Sequence, residues 1–390
     1  MLRIGLEIDR LCWQDRSGLT SHTVGILNGF KAAGMSHCIT LFLNRRSAAT
    51  IRPEHHDVVS DYRVKRFDNT YKHGYRLRMR LSAYGRQDVF QYLSSIYDPI
   101  QNYRLNSFLI PDLTPIRMPE CHLPEHRDFW LKHFETIASN TGLVLTYSEH
   151  TRQEAIALLG LAPERVVAIP LGYGPEYHVL PRERVATALQ PLGLEPGRYI
   201  LNVGTQEPRK NHGVLFRAYA KLKDRGLVKG VPLVLSGGRG WLYEPMLEEL
   251  SRLGLQEDVR YVGFVDCLPE LYNGAIVMVY PSFYEGFGLP PLEAMACGTP
   301  TIVSNASSLP EVVGSTGVCI DPSDADGLAE SIARVLTDSA YRQSMSASGL
   351  MRASQFSWAI CAKNMYAAYE LAYRRFKENC DRLVTATNLV

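Results

Sequence analysis

Ser282-Phe-Tyr-Glu-Gly-Phe-Gly-Leu-Pro-Pro-Leu-Glu-Ala-Met-Ala-Cys-Gly-Thr-Pro300 carries two carboxylates, Glu285 and Glu293, separated by two glycines and a double proline. Gly286 and Gly288 let a ligand approach the backbone closely. Pro290 and Pro291 suit the first turn of a helix, where no N–H is needed. Gly298 followed by Pro300 reads as its stop. Glu285 is therefore expected in a loop at the mouth of a short helix, with Glu293 a turn inside it. A helix N-terminus attracts anions, and carboxylates beside it accept hydrogen bonds from hydroxyls. The group suits a molecule that has both phosphates and sugars. A capping Glu followed by a solvated helix Glu is the bland alternative.

Outward from this stretch, short aliphatic runs alternate with amphipathic ones, which predicts parallel sheets flanked by helices. The first half has such runs at Arg3–Ile8, Cys38–Leu43, Ser107–Ile110, Leu143–Tyr147 and Arg165–Ile169. The second has them at Tyr199–Val203, Leu233–Ser236, Val259–Val262, Ile276–Tyr280 and Thr301–Ser304. Helical patterns fall at Thr23–Ala33, Glu149–Leu159, Gly213–Arg225, Glu244–Leu253 and Ala325–Thr337. A chain of 390 residues exceeds what one core usually holds. The five prolines between Pro170 and Pro196 suit an interdomain connection. The expectation is an α/β protein with domains at 1–180 and 181–358, followed by a long helix over 359–390.

Composition narrows the class. With 46% hydrophobic and 21% charged residues, and a net charge of +2, the chain reads as a soluble globular protein without global attraction to nucleic acid. Its eight cysteines are scattered and read as free thiols in a reducing compartment. The N-terminus reads as a strand, too short and too charged for a signal peptide. No run is long enough to span a membrane.

The Glu285–Glu293 segment closely resembles the E-x7-E signature of retaining glycosyltransferases of family 4, which have the GT-B architecture of two Rossmann-like domains facing a cleft. The resemblance implies that Glu285 contacts the donor sugar and Glu293 the nucleotide ribose. Gly286, Phe287, Gly288 and Leu289 would line the sugar site. Gly204-Thr-Gln-Glu-Pro-Arg-Lys-Asn211 resembles the family element whose Arg209 and Lys210 bind the diphosphate and, with Glu285, form the catalytic group. A departing nucleoside diphosphate gains negative charge, so adjacent cations suit it; without them a metal would be required. Gly263, Phe264 and Val265 match the segment whose backbone meets the nucleotide base, and Gly18 the turn that meets the pyrophosphate. Ser236-Gly-Gly-Arg-Gly240 fits a pocket wall or a plain tight turn. The helix opened by Phe356-Ser-Trp358 resembles the one that crosses back to the N-terminal domain; a helix completing the second domain reads equally well from pattern. The implied reaction transfers a hexose with retention, with no cofactor or metal. GDP-mannose is the preferred donor, UDP-glucose or UDP-N-acetylglucosamine the alternative, and the acceptor a lipid-linked or polysaccharide glycan.

The first half departs from the family. Relatives often carry His-Asp where this chain has Pro111-Asp112, so no histidine carries over. Asp112 and His22 are acceptor-side candidates, though Asp112 could instead cap its loop. His122, His126 and His133 suggest a metal only weakly. Residues 63–86 interleave basic and aromatic side chains. That mix suits an anionic bilayer or a lipid diphosphate, against the bland reading of a solvated face. A cytoplasmic protein, peripheral to the inner membrane face through this segment and without a nucleic-acid partner, is expected. Three rivals remain. A dinucleotide-dependent oxidoreductase lacks a strand–G-x-G-x-x-G–helix with its acidic partner. A phosphorylase would need a pyridoxal lysine, and a glycan-binding protein would keep only a vestigial pocket.

Overall fold

The structure, a computed structural model, describes residues 1–12, 18–44, 51–67, 87–93, 105–140 and 142–387. The first parallel sheet comprises β1 (Ile4–Glu7), β2 (Ile39–Asn44), β3 (Arg63–Phe67), β4 (Val89–Tyr92), β5 (Leu105–Ile110), β6 (Leu143–Thr146) and β7 (Val166–Ala168). Their order is β3-β2-β1-β4-β5-β6-β7. The second comprises β8 (Ile200–Val203), β9 (Leu233–Ser236), β10 (Val259–Gly263), β11 (Val277–Tyr280), β12 (Thr301–Ser304) and β13 (Val318–Ile320), in the order β10-β9-β8-β11-β12-β13. Strands such as β8 and β11 are buried at every position, as helices on both faces require. Both sheets grow one way from a central strand and then reverse. The reversals lie between β1 and β4 and between β8 and β11, where loops at the carboxyl ends diverge and leave room for a ligand.

The chain divides into two compact units. One holds Met1–Pro111, Phe129–Gly172 and Ser357–Val390; the other holds Asp112–Asp128 and Tyr173–Phe356. The division falls earlier than the expected 180/181, because the connection already packs on the second unit. There Leu180 N donates to Asn273 Oδ1 at 2.9 Å, and the Tyr177 ring lies edge-on to Tyr272. The proline-rich stretch also contains a helix, Arg182–Leu189.

The helix Trp358–Thr387 belongs to the first unit. Trp358 seats in a notch on the helix Gly18–Ala32. A Cβ on Gly25 would fall 2.1 Å from its ring, and one on Gly29 2.2 Å from its carbonyl oxygen. Of the basic stretch 63–86, the opening residues form β3, an edge strand paired in parallel with Thr40–Asn44, rather than a loop or helix face. Residues 68–86 lie outside the described residues. Among the described residues no helix is long and apolar enough to cross a membrane, and all eight cysteines are free.

Candidate active site

The loops that leave β8 and β11 converge because the chain ties them together. Asn202 within β8 donates to Val279 O of β11 at 2.8 Å. After β8 a single turn, Pro208–Lys210, ends at Asn211, whose left-handed backbone starts the helix His212–Asp224. The Asn211 amide donates to Pro281 O at 3.0 Å and Pro322 O at 2.7 Å. Phe283 N donates to Arg209 O at 2.9 Å, and Arg209 Nη1 to Tyr284 O at 2.7 Å.

This closure brings the expected cations and the first glutamate into one buried network. Glu285 Oε2 pairs with Arg209 Nη1 at 2.7 Å and Oε1 with Lys210 Nζ at 2.6 Å. Arg209 Nη2 also pairs with Glu207 Oε1 at 2.5 Å, and Lys210 Nζ donates to the Tyr280 hydroxyl at 2.5 Å. Burial alone would raise the Glu285 carboxyl, but the two adjacent cations hold it down at about 2. Two cations thus face two carboxylates. Of the three Lys210 Nζ hydrogens, Glu285 and Tyr280 take two, leaving one for a ligand. With Arg209, Lys210 and the Tyr280 hydroxyl on it, the Glu285 carboxylate keeps one of its four acceptor sites for a sugar hydroxyl.

The glutamate loop is fixed from the side by Ser307 and Ser308. Glu285 N donates to Ser307 Oγ at 2.8 Å, and Ser308 Oγ lies 2.8 Å and 2.7 Å from the carbonyls of Glu285 and Phe287. Gly288 adopts φ +115°, and a Cβ there would fall 2.7 Å from Leu309, so a glycine is required at the mouth of the helix Leu289–Ala296. Gly286 and Phe287 are buried and Leu289 is half-buried.

Glu293 sits within that helix. Its Oε2 accepts from the Tyr272 hydroxyl at 2.9 Å, and Tyr177 also hydrogen-bonds to it. Burial, reinforced by Glu176, raises its carboxyl to about 7 despite these donors. It therefore exchanges a proton near neutrality, whereas Glu285 stays ionised.

Along the rim, Gly204 packs on the Lys210 stem and on the run Ser236–Gly240. Gly204 N donates to Ser236 O at 2.8 Å, and a Cβ on Gly237 would fall 2.2 Å from Gly204 O. That run is thus explained by close packing of neighbouring loops. Gly263 accepts from Gly237 N, Val265 is half-buried, and Phe264 is 57% exposed beside Gly238.

Asp112 belongs to the second unit rather than the first, and Oδ1 accepts from Thr114 N at 3.0 Å and from the Thr114 hydroxyl. It closes an Asx-type turn just ahead of the helix Thr114–Arg117, whose N-cap position is Leu113. His22, in the first unit, is half-buried with its ring edge-on to Tyr147; burial lowers it to about 3, so it is neutral, and its Nδ1 has no partner among the described residues. Gly18 opens the helix Gly18–Ala32, and the residues just before it lie outside the described residues. Among the described residues no three His, Cys, Asp or Glu side chains are grouped to hold a metal ion. Sequence reasoning missed Glu207, Tyr280, Tyr272 and Tyr177. Glu207 was visible inside the Arg-Lys element; the tyrosines gave no signal.

Residues 188–350 match the family model described as glycosyl transferases group 1. The chain is 39% identical over 263 residues to O-antigen chain mannosyltransferase B of Escherichia coli, covering 67% of this chain and 68% of that protein. The chain belongs to the group 1 glycosyl transferases. It is also 34% identical over 262 residues to the Escherichia coli serotype-specific mannosyltransferase WbdA, covering 64% of this chain but only 31% of that longer protein. The fold of this glycosyltransferase is similar to that of Anabaena HepE solved with UDP and glucose, with a TM-score of 0.75 over 95% of this chain and all of that one at 18% identity. It is similar as well to WaaG, a glycosyltransferase involved in lipopolysaccharide biosynthesis, with a TM-score of 0.68 over 94% and 98% of the two chains at 15% identity.

Proposed function

We propose that this glycosyltransferase moves mannose from GDP-mannose to a hydroxyl of a lipid-linked or polysaccharide acceptor at the cytoplasmic face of the membrane, with retention and without a metal. The likeness to two mannosyltransferases supports the sugar. The single observation that carries the chemistry is the buried Arg209–Glu285–Lys210 network beside the β8–β11 reversal. The bond from the anomeric carbon to the diphosphate oxygen breaks while the acceptor oxygen bonds to that carbon on the same face. The acceptor proton passes to the departing phosphate oxygen, so no protein base is needed. Arg209 and the spare Lys210 hydrogen stabilise the charge that gathers on the diphosphate. Glu285 holds a donor hydroxyl, and Glu293, with its two tyrosines, holds the ribose.

The test is transfer from labelled GDP-mannose to lipid-linked glycan, with the anomeric configuration of the product read by NMR. An α-mannosyl product from this α-linked donor is expected. Faster transfer from UDP-glucose or UDP-N-acetylglucosamine would replace mannose in this reading. Binding without transfer or hydrolysis of any nucleotide-sugar would leave only a glycan- or nucleotide-binding protein.

A further inference from the structure

His122 matches no element of the family pattern, yet the second unit builds a seat for it. Its ring lies nearly parallel to that of Trp241, 6.2 Å between centroids at 29°, and His126 meets the same indole edge-on at 5.7 Å. Trp241 Nε1 donates to Cys121 O at 2.6 Å. The loop after β9 and the segment Asp112–Asp128 therefore fix each other, and the imidazole with them. Held in this way, His122 Nε2 is buried and has no hydrogen-bond partner among the described residues. An unpaired buried nitrogen weakens the free protein, and a ligand that satisfies it recovers the loss. The groups that act electrostatically on His122 are Asp112, His126 and two members of the network just described, Glu207 and Arg209. Burial lowers its pKa, which keeps the ring neutral at pH 7.

We infer that His122 Nε2 is a binding contact for the transferred hexose, hydrogen-bonded to one of its hydroxyls. A neutral imidazole nitrogen donates or accepts according to tautomer, and a hydroxyl answers both. A phosphate oxygen answers only the donor, and the nearby carboxylates of Asp112 and Glu207 disfavour a second anion. The contact would make His122 a determinant of which sugar is transferred, and it rests on the glycosyl-transfer reading above.

His122→Phe keeps an aromatic ring for Trp241 and removes the nitrogen; His122→Gln keeps a neutral polar group. For the variant H122F, kcat/KM for the preferred nucleotide-sugar is expected to fall roughly tenfold or more. Its affinity for the matching nucleoside diphosphate, which has no hexose, should stay within about twofold, as only the sugar contact is lost. H122Q should recover part of the activity. Unchanged kcat/KM in H122F, or an equal loss of affinity for the nucleoside diphosphate, would overturn the assignment. A wild-type protein that transfers no sugar would instead sink the glycosyl-transfer reading itself.

Discussion

Glu285 and Glu293 lie in one continuous segment, yet their surroundings push their protons in opposite directions. Glu285 is held ionised by Arg209 and Lys210. Replacing it with Gln removes the counter-charge of two buried cations, so E285Q is expected to destabilise the second unit by about 3–5 kcal/mol and to abolish transfer. Thermal unfolding and a transfer assay check this, and a stable, active variant would refute it. Glu293 is different, because burial lifts it from 4.5 to about 7. The folded protein binds that proton more tightly than the unfolded chain does. Stability from this group is therefore fully present below pH 4.5 and lost as pH rises through 7. Buried neutral histidines such as His22, His133 and His212 act in the opposite sense and are common to the wild type and E293Q, so the comparison is between these two proteins. From pH 5 to 7.5 the wild type should lose on the order of 1–3 kcal/mol relative to E293Q in urea unfolding. A stability difference that does not change with pH would place the titration elsewhere.

At the scale of elements, the packing of Trp358 against two glycines offers a direct test. Gly25→Ala would set a methyl 2.1 Å from the Trp358 ring, which cannot be accommodated without moving a helix. A loss of about 1–3 kcal/mol in the first unit is expected by denaturant unfolding. Gly18→Ala is the contrast, since among the described residues a Cβ there meets only the His22 ring, at 3.7 Å. It should leave stability unchanged, and a fall in donor affinity would then mark Gly18 as a place where phosphate meets backbone. Most strands were legible because parallel strands buried on both faces read as aliphatic runs. Those missed break that rule: β3 is an edge strand of charged residues, β4 buries Gln91, whose Oε1 accepts from Ser107 and Tyr369, and β13 is a three-residue edge strand with Cys319 exposed. Pro124–Ala138 stayed hidden because its aromatic, histidine and charged residues blur the apolar stripe. The charged half of the site was legible because Glu, Arg and Lys sat in an ordered pattern. Tyr280 was not, because a tyrosine at the end of an apolar strand reads as core until its hydroxyl is seen against Lys210.

For the whole molecule, the crossing of the C-terminal segment into the first unit predicts which part depends on it. Ser357–Val390 contributes Tyr366, whose hydroxyl accepts from Leu2 N at 2.8 Å, and Tyr369, fully buried, which donates to Gln91 at 2.9 Å. Tyr373 donates to Asp88 Oδ1 at 3.2 Å. A chain ending at Phe356 would leave these partners and the glycine notch bare, so the first unit should lose its cooperative transition. The second unit has its own core of residues such as Val214, Leu233, Val277, Ile302 and Ile332, and it carries the cation–glutamate network. It should therefore fold without the segment and still bind nucleoside diphosphate. Calorimetry separates the two. In the full chain, nucleotide at a hundredfold excess over Kd should stabilise the second unit by about 2.7 kcal/mol and leave the other transition in place. The truncated chain should show only the nucleotide-sensitive transition. Retention of both transitions would mean that the terminal helix is dispensable. Loss of nucleotide binding would mean that the donor is held by more than the second unit.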